Sequence, residues 1–155
     1  LVQEPDGTLG TRFVPEMVPA TGPKLRVTRV VESPTRIVLR GLPRDGRVRF
    51  TVTPGAGAKL TTVRLRASET DGSGVVLRLD GQARTAQLGD GATVPLRDGS
   101  TRLDVVLADD IVDVAVDERR TMILEGDASV GGALVIESDA PGLQIEGLQA
   151  HERRR

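Results

Sequence analysis

A chain of 155 residues with a formal net charge of −1 supports one domain, or one domain with an appendage, and offers nothing that attracts nucleic acid or an anionic membrane. It has no Cys, Trp or Tyr, two Phe and one His. Disulfides and thiolate metal sites are excluded, and most residue types that catalyse or stack on ligands are missing.

Leu1 to Phe13 reads as a short hairpin around Pro5-Asp6-Gly7. Val14 to Lys24 holds Pro15, Pro19, Gly22 and Pro23, so it reads as connector rather than sheet interior. From Leu25 short strands follow in quick succession. They are predicted at Leu25–Val31, Arg36–Leu42, Arg47–Thr53, Lys59–Ala67, Val75–Asp80, Arg84–Leu88 and Thr93–Leu96. The gaps carry Asp45-Gly46, Asp71-Gly72, Asp80-Gly81, Asp90-Gly91 and Asp98-Gly99, pairs that tolerate positive φ.

Thr101–Leu107, Ile111–Asp117, Thr121–Glu125, Ala133–Glu137 and Leu143–Leu148 complete the series and read as an antiparallel meander that ends the chain. Within it Val112, Val114 and Val116 fall on one face and Ile111, Asp113, Ala115 and Asp117 on the other. The valines are expected in the core, and Asp113 and Asp117 toward solvent or an interface. Arg153 to Arg155 read as a frayed tail. No segment has convincing helical periodicity. The predicted fold is all-β: a two-sheet antiparallel sandwich, jelly-roll-like and concanavalin-like, over residues 25–152, preceded by a hairpin and connector over residues 1–24.

Candidate chemistry is sparse. Pro54-Gly55-Ala56-Gly57-Ala58-Lys59 superficially resembles a phosphate loop, but it lacks the Gly-Lys-Ser/Thr end and precedes a strand, so it reads as a hairpin loop. Asp109, Asp110, Asp113 and Asp117 invite a calcium site. Asp113 and Asp117 would lie about 13 Å apart along one strand, too far to share an ion, so they read as a solvated turn and face. His151 stands alone near the end, and Ser68, Ser73 and Ser129 have no base partner. A sugar site would have to use Asp, Arg and amides, of which there are few, since there is no Trp or Tyr. No cofactor and no metal are implied.

Two segments together resemble glycoside hydrolase family 32, the fructan and sucrose hydrolases. Leu1 to Leu9 with its Asp6-Gly7 turn, followed by Pro15-Glu16-Met17, is similar to the junction leading out of that family's catalytic propeller. Val94 to Gly99, Leu103–Leu107, Ile111–Val116 and Thr121–Leu124 resemble strands of its C-terminal β-sandwich. There Asp113 falls where the family has Glu, Val112 and Val114 match its flanking valines, and Ala115 falls where it has Phe. The closing strands resemble Leu134–Ile136 and Leu143–Leu148.

The resemblance implies a non-catalytic module that scaffolds a propeller lying on a separate chain or on sequence beyond this one. The family's acids sit in Asn-Asp-Pro, Arg-Asp-Pro and Glu-Cys motifs, none of which occurs here, so no catalytic residue carries over. Leu9, Phe13, Val14 and Met17 would be the contact residues toward the propeller, Phe13 foremost. Homo-oligomer formation and carbohydrate binding stay open. The alternatives are a free-standing lectin-like sandwich and a structural domain of a surface protein. The chain opens on Leu1 with no Met or signal-peptide pattern, which reads as a fragment or a processed start. Localisation is not legible; heavy Arg, Ala, Gly and Asp usage suggests a GC-rich bacterial genome, and the resemblance implies a secreted or cell-associated protein.

Overall fold

The computed structural model describes residues 2–3, 9–10, 21–70, 72–125 and 131–153. Every regular element among them is a strand. In chain order these are β1 (Val2–Gln3), β2 (Leu9–Gly10), β3 (Thr21–Lys24), β4 (Thr28–Ser33), β5 (Arg36–Arg40), β6 (Gly46–Thr53), β7 (Leu60–Ala67) and β8 (Val75–Asp80). There follow β9 (Thr85–Leu88), β10 (Thr93–Pro95), β11 (Thr101–Ala108), β12 (Ile111–Val116), β13 (Arg120–Glu125), β14 (Ala133–Ser138) and β15 (Gln144–Arg153). A seven-stranded sheet runs β10-β9-β8-β7-β14-β5-β4, a six-stranded sheet runs β13-β12-β11-β6-β15-β3, and β1 and β2 pair by themselves. All pairings are antiparallel. The predicted two-sheet sandwich is the observed fold.

Alternation builds the core. In β6, Val48, Phe50 and Val52 are buried while Arg47, Arg49 and Thr51 between them are only partly covered. β8 buries Val75, Leu77 and Leu79 in the same rhythm, and β12 buries Val112, Val114 and Val116 as expected. These side chains interleave with Ile37, Leu39, Val63, Leu103, Val105, Leu134 and Ile136 in one apolar cluster between the sheets. Phe50 is its one aromatic member.

Several expectations need correction. Thr21–Lys24 is not connector but an edge strand, paired to β15. Pro23 tolerates that place because an edge strand leaves one row of backbone groups outside the ladder. The predicted strand Leu25–Val31 begins only at Thr28, and Leu25–Val27 links the two sheets. The terminal meander holds only for β11, β12 and β13. β14 then inserts into the other sheet between β7 and β5, and β15 returns to pair with β6. The reason is visible in Ala133-Leu134-Val135-Ile136, which is buried on both faces and suits a central strand. Its outward side forms a small cluster with Val38 and Ala67. The ion pairs Arg36–Glu137, Arg40–Glu69 and Arg64–Glu137 lie on the same sheet face. Arg153 belongs to β15 and donates its N–H to Asp45 O at 3.0 Å; residues 154–155 lie outside the described chain.

The segment Pro54–Lys59 is not a hairpin loop either. It carries the chain from β6 in one sheet to β7 in the other. A Cβ at Gly55 would overlap the carbonyl oxygens of Pro141 and Ala140 in the β14–β15 connection. Only a residue without a side chain lets these two crossovers lie against each other. Gly55→Ala is expected to destabilise the domain by about 1–3 kcal/mol, the usual cost of overpacking. A urea titration followed by far-UV circular dichroism checks this.

Candidate functional site

The outward face of the six-stranded sheet carries a paired arginine and aspartate and a half-buried second aspartate. Because Val48, Phe50, Leu103, Val105, Val112 and Val114 point inward, their neighbours along the strands point out. Register sets two rows across that face. In one, Ile123, Asp113, Val106, Arg47, His151 and Lys24 stand side by side; in the next, Thr121, Ala115, Asp104, Arg49 and Gln149 do so.

Arg47 and Asp104 form a fork-to-fork pair between the rows. Arg47 Nε donates to Asp104 Oδ1 at 2.8 Å and Nη2 to Oδ2 at 2.5 Å. Asp104 is buried, and its hydrogen bonds hold the Arg47 guanidinium above its ordinary pKa. Such a bidentate pair fixes both side chains. Arg47→Met is expected to destabilise the domain by about 3–5 kcal/mol, because it strands a buried carboxylate. The double replacement Arg47→Met/Asp104→Leu should recover most of the loss, and denaturant midpoints of the two variants check it. Beside this pair, Arg49 Nη2 donates to Gln149 Oε1 at 2.7 Å. His151 sits 3.2 Å through Nδ1 from Gly22 O, so it ties β15 to β3 rather than standing ready for proton transfer.

Asp113 is the odd residue. Val106 and Ile123 flank it across the strands, and Ile111 and Ala115 flank it along β12. Oδ1 is buried without a hydrogen-bond partner. Burial, and secondarily the charge of Asp104, push its carboxyl up to about 6. Two of the apolar residues around it, Ile111 (43% exposed) and Ile123 (68%), face solvent. A desolvated carboxylate set among apolar side chains, two of them exposed, is poorly served by water, and a covering group that donates to it would relieve it.

The other sequence candidates fall elsewhere. Asp109, at φ 48°, lies in the two-residue β11–β12 turn with Asp110, and its N–H is held by Asp45 Oδ1 at 2.8 Å. Asp117 lies beyond the end of β12 at φ 52° and accepts the Arg102 N–H through Oδ1 at 2.8 Å, so it is a turn residue and not part of the polar strand face. Among the described residues no three His, Cys, Asp or Glu side chains gather as metal ligands. Phe13, Val14 and Met17 lie outside the described residues. Leu9 is described only as backbone, in β2 opposite Gln3.

Arg47 and Asp104 were not among the sequence candidates. They are 57 residues apart, and only the β6–β11 register brings them together. The alternation in Arg47-Val48-Arg49 and Leu103-Asp104-Val105 places both on outer faces, but nothing in it assigns them as partners.

No protein-family model matches the chain, and no curated protein sequence matches it. Solved structures do. The carbohydrate binding module CBM66 from Bacillus subtilis aligns over 84% of this chain and 91% of its own, at 11% identity and a TM-score of 0.52. The Caenorhabditis elegans galectin LEC-6 aligns over 82% and 96%, at 14% identity and a TM-score of 0.51. β-Fructofuranosidase from Schwanniomyces occidentalis, solved with fructosyl-erythritol, aligns over 92% of this chain and 35% of its own, at 12% identity and a TM-score of 0.58. The chain thus spans about a third of that enzyme and nearly all of the binding module and the galectin. At these identities the likeness shows the sandwich fold alone.

Proposed function

We propose that this sandwich is the non-catalytic module of a glycosidase resembling the fructan and sucrose hydrolases, and that it scaffolds a catalytic propeller. The observation that carries the reading is the pair of exposed isoleucines, Ile111 and Ile123, beside Asp113. Exposed aliphatic groups around a half-buried, unpartnered carboxylate are what a module detached from its partner leaves uncovered. Leu9, Phe13, Val14 and Met17 supply a second contact in this reading. The extent of the alignment to β-fructofuranosidase, 92% of this chain, supports it as well.

A second reading has its own observation. Arg47, Asp104, Arg49 and Gln149 form a pre-ordered hydrogen-bonding array on an open sheet face, the kind of surface on which a free-standing lectin-like sandwich could hold a sugar without aromatic stacking. The near-complete overlap with a carbohydrate binding module and a galectin supports this reading in turn.

The coding sequence upstream of the Leu1 codon separates the two. A propeller carrying the three acidic motifs is the expected result. A signal peptide directly before Leu1 would overturn the module reading in favour of the free-standing one.

A further inference from the structure

At one end of the sandwich the inter-sheet crossover 54–59, the β8–β9 turn and the β10–β11 connection enclose a cleft of about 310 Å³. This lies at the lower end of the range for small-molecule sites. Its walls are held by backbone bonds. Gly81 N donates to Lys59 O at 2.8 Å, Leu96 N to Arg84 O at 2.9 Å, and Ala58 N to Gly55 O at 3.0 Å. Asp80 Oδ1 accepts the N–H groups of Gln82 and Ala83 and so fixes the turn. The concavity is therefore formed before any ligand arrives, which lowers the entropic cost of binding.

The lining mixes small and apolar residues, such as Ala56, Ala58, Leu79 and Leu96, with polar ones, and its two arginines and two aspartates balance in charge. The hydroxyl residues Thr53, Thr61 and Thr101 contribute, and Arg84 meets Asp98 at 3.0 Å among the lining residues. Arg84 is held at φ 56°. That conformation strains a side chain and is ordinarily given to Gly or Asn. Arg84 closes the β8–β9 turn in that conformation, and its guanidinium is paired with Asp98 at the exposed rim of the cleft.

We propose that this cleft binds one neutral polyhydroxylated ring, with Arg84 donating to and Asp98 accepting from its hydroxyl groups. A phosphorylated ligand fits less well, because Asp80 and Asp98 balance the arginines and no helix N-terminus faces the cleft. That the ring is a sugar rests on the glycosidase-module reading; the shape and balance of the cleft do not.

Nuclear magnetic resonance titration of the 15N-labelled chain with fructose, sucrose and inulin tests it, with glycerol as the control. The expected result is saturable shifts confined to residues 55–58, 81–84 and 97–101. Response to free fructose or sucrose identifies a single ring as sufficient, and response to inulin alone identifies a ring within a polymer; both support the proposal. Arg84→Gly should weaken binding by about tenfold or more, as expected for a lost charged hydrogen bond, while the melting temperature holds or rises. No saturable shift, equal shifts with glycerol, shifts centred on Arg49 and Gln149, or unchanged binding by Arg84→Gly would each overturn it. A propeller encoded upstream of Leu1 together with an inert cleft would sink this inference alone. Binding here with no such propeller would sink the module reading alone.

Discussion

Val114→Asp is expected to abolish the folded state. Val114 is fully buried at the middle of β12, between Val105 on β11 and Met122 on β13. None of the three offers a hydrogen-bond partner. A carboxyl group placed there either ionises in an apolar layer or takes up a proton and stays unpartnered, and even the neutral group costs about 2–7 kcal/mol by transfer. A domain of this size is stable by roughly 5–15 kcal/mol, so little remains. The chain has no Trp or Tyr to report by fluorescence. Far-UV circular dichroism and the dispersion of methyl proton resonances are the measurements, and a cooperative melt near that of the parent would show that β12 presents its other face to the core. Val114→Ala serves as control and should melt cooperatively at a lower temperature.

The neighbouring Asp117 shows where alternation stops being a guide. By pattern it continues the polar face of β12, and replacement by Val should matter little. In the structure it is a turn residue at positive φ whose carboxylate holds the Arg102 N–H. A β-branched side chain is strained there by about 1–2 kcal/mol, and the lost hydrogen bond adds about 1 kcal/mol. Asp117→Val is therefore expected to cost more than Asp117→Gly.

The same contrast runs through the molecule. Strands such as Gly46–Thr53 and Val75–Asp80 are legible because period-two burial is local. Their assignment to one sheet or the other is not, because the crossing of Ala133–Ser138 into the seven-stranded sheet depends on partners 66 to 101 residues away in the chain. Thr21–Lys24 escaped notice because Pro23 signals against sheet interior and says nothing about edges. Of the outer-face site, the sequence marked Asp113 as polar and outward. Its desolvation comes from Val106 and Ile123, one on each neighbouring strand, and is invisible until the register is known.

That desolvation predicts an inverted pH dependence for one carboxyl group. Asp113 titrates at about 6 in the folded chain, with burial the larger cause and the charge of Asp104 the smaller. In the unfolded chain an aspartate titrates near 3.9. The folded state thus holds this proton more tightly. The contribution of Asp113 to stability is fully present below about pH 4 and is lost as pH rises through about 6. After allowance for the solvent that still reaches the group, the loss is roughly 1–3 kcal/mol. Asp113→Asn removes the ionisation and keeps the shape. It should therefore be more stable than the parent by that amount at about pH 8 and by almost nothing at about pH 4. Exposed pairs such as Arg40–Glu69, where the arginine lowers the glutamate pKa, respond to pH in the opposite sense. They cancel, because they are common to both chains and only the difference between denaturant midpoints is read. A difference that stays flat from about pH 4 to about pH 8 would mean that Asp113 titrates as an ordinary aspartate and that its apolar ring does not desolvate it. In the module reading the ring is covered by a partner donating to Asp113, which would pull its pKa back down. The same titration on the assembled enzyme should then lose the advantage of the asparagine variant.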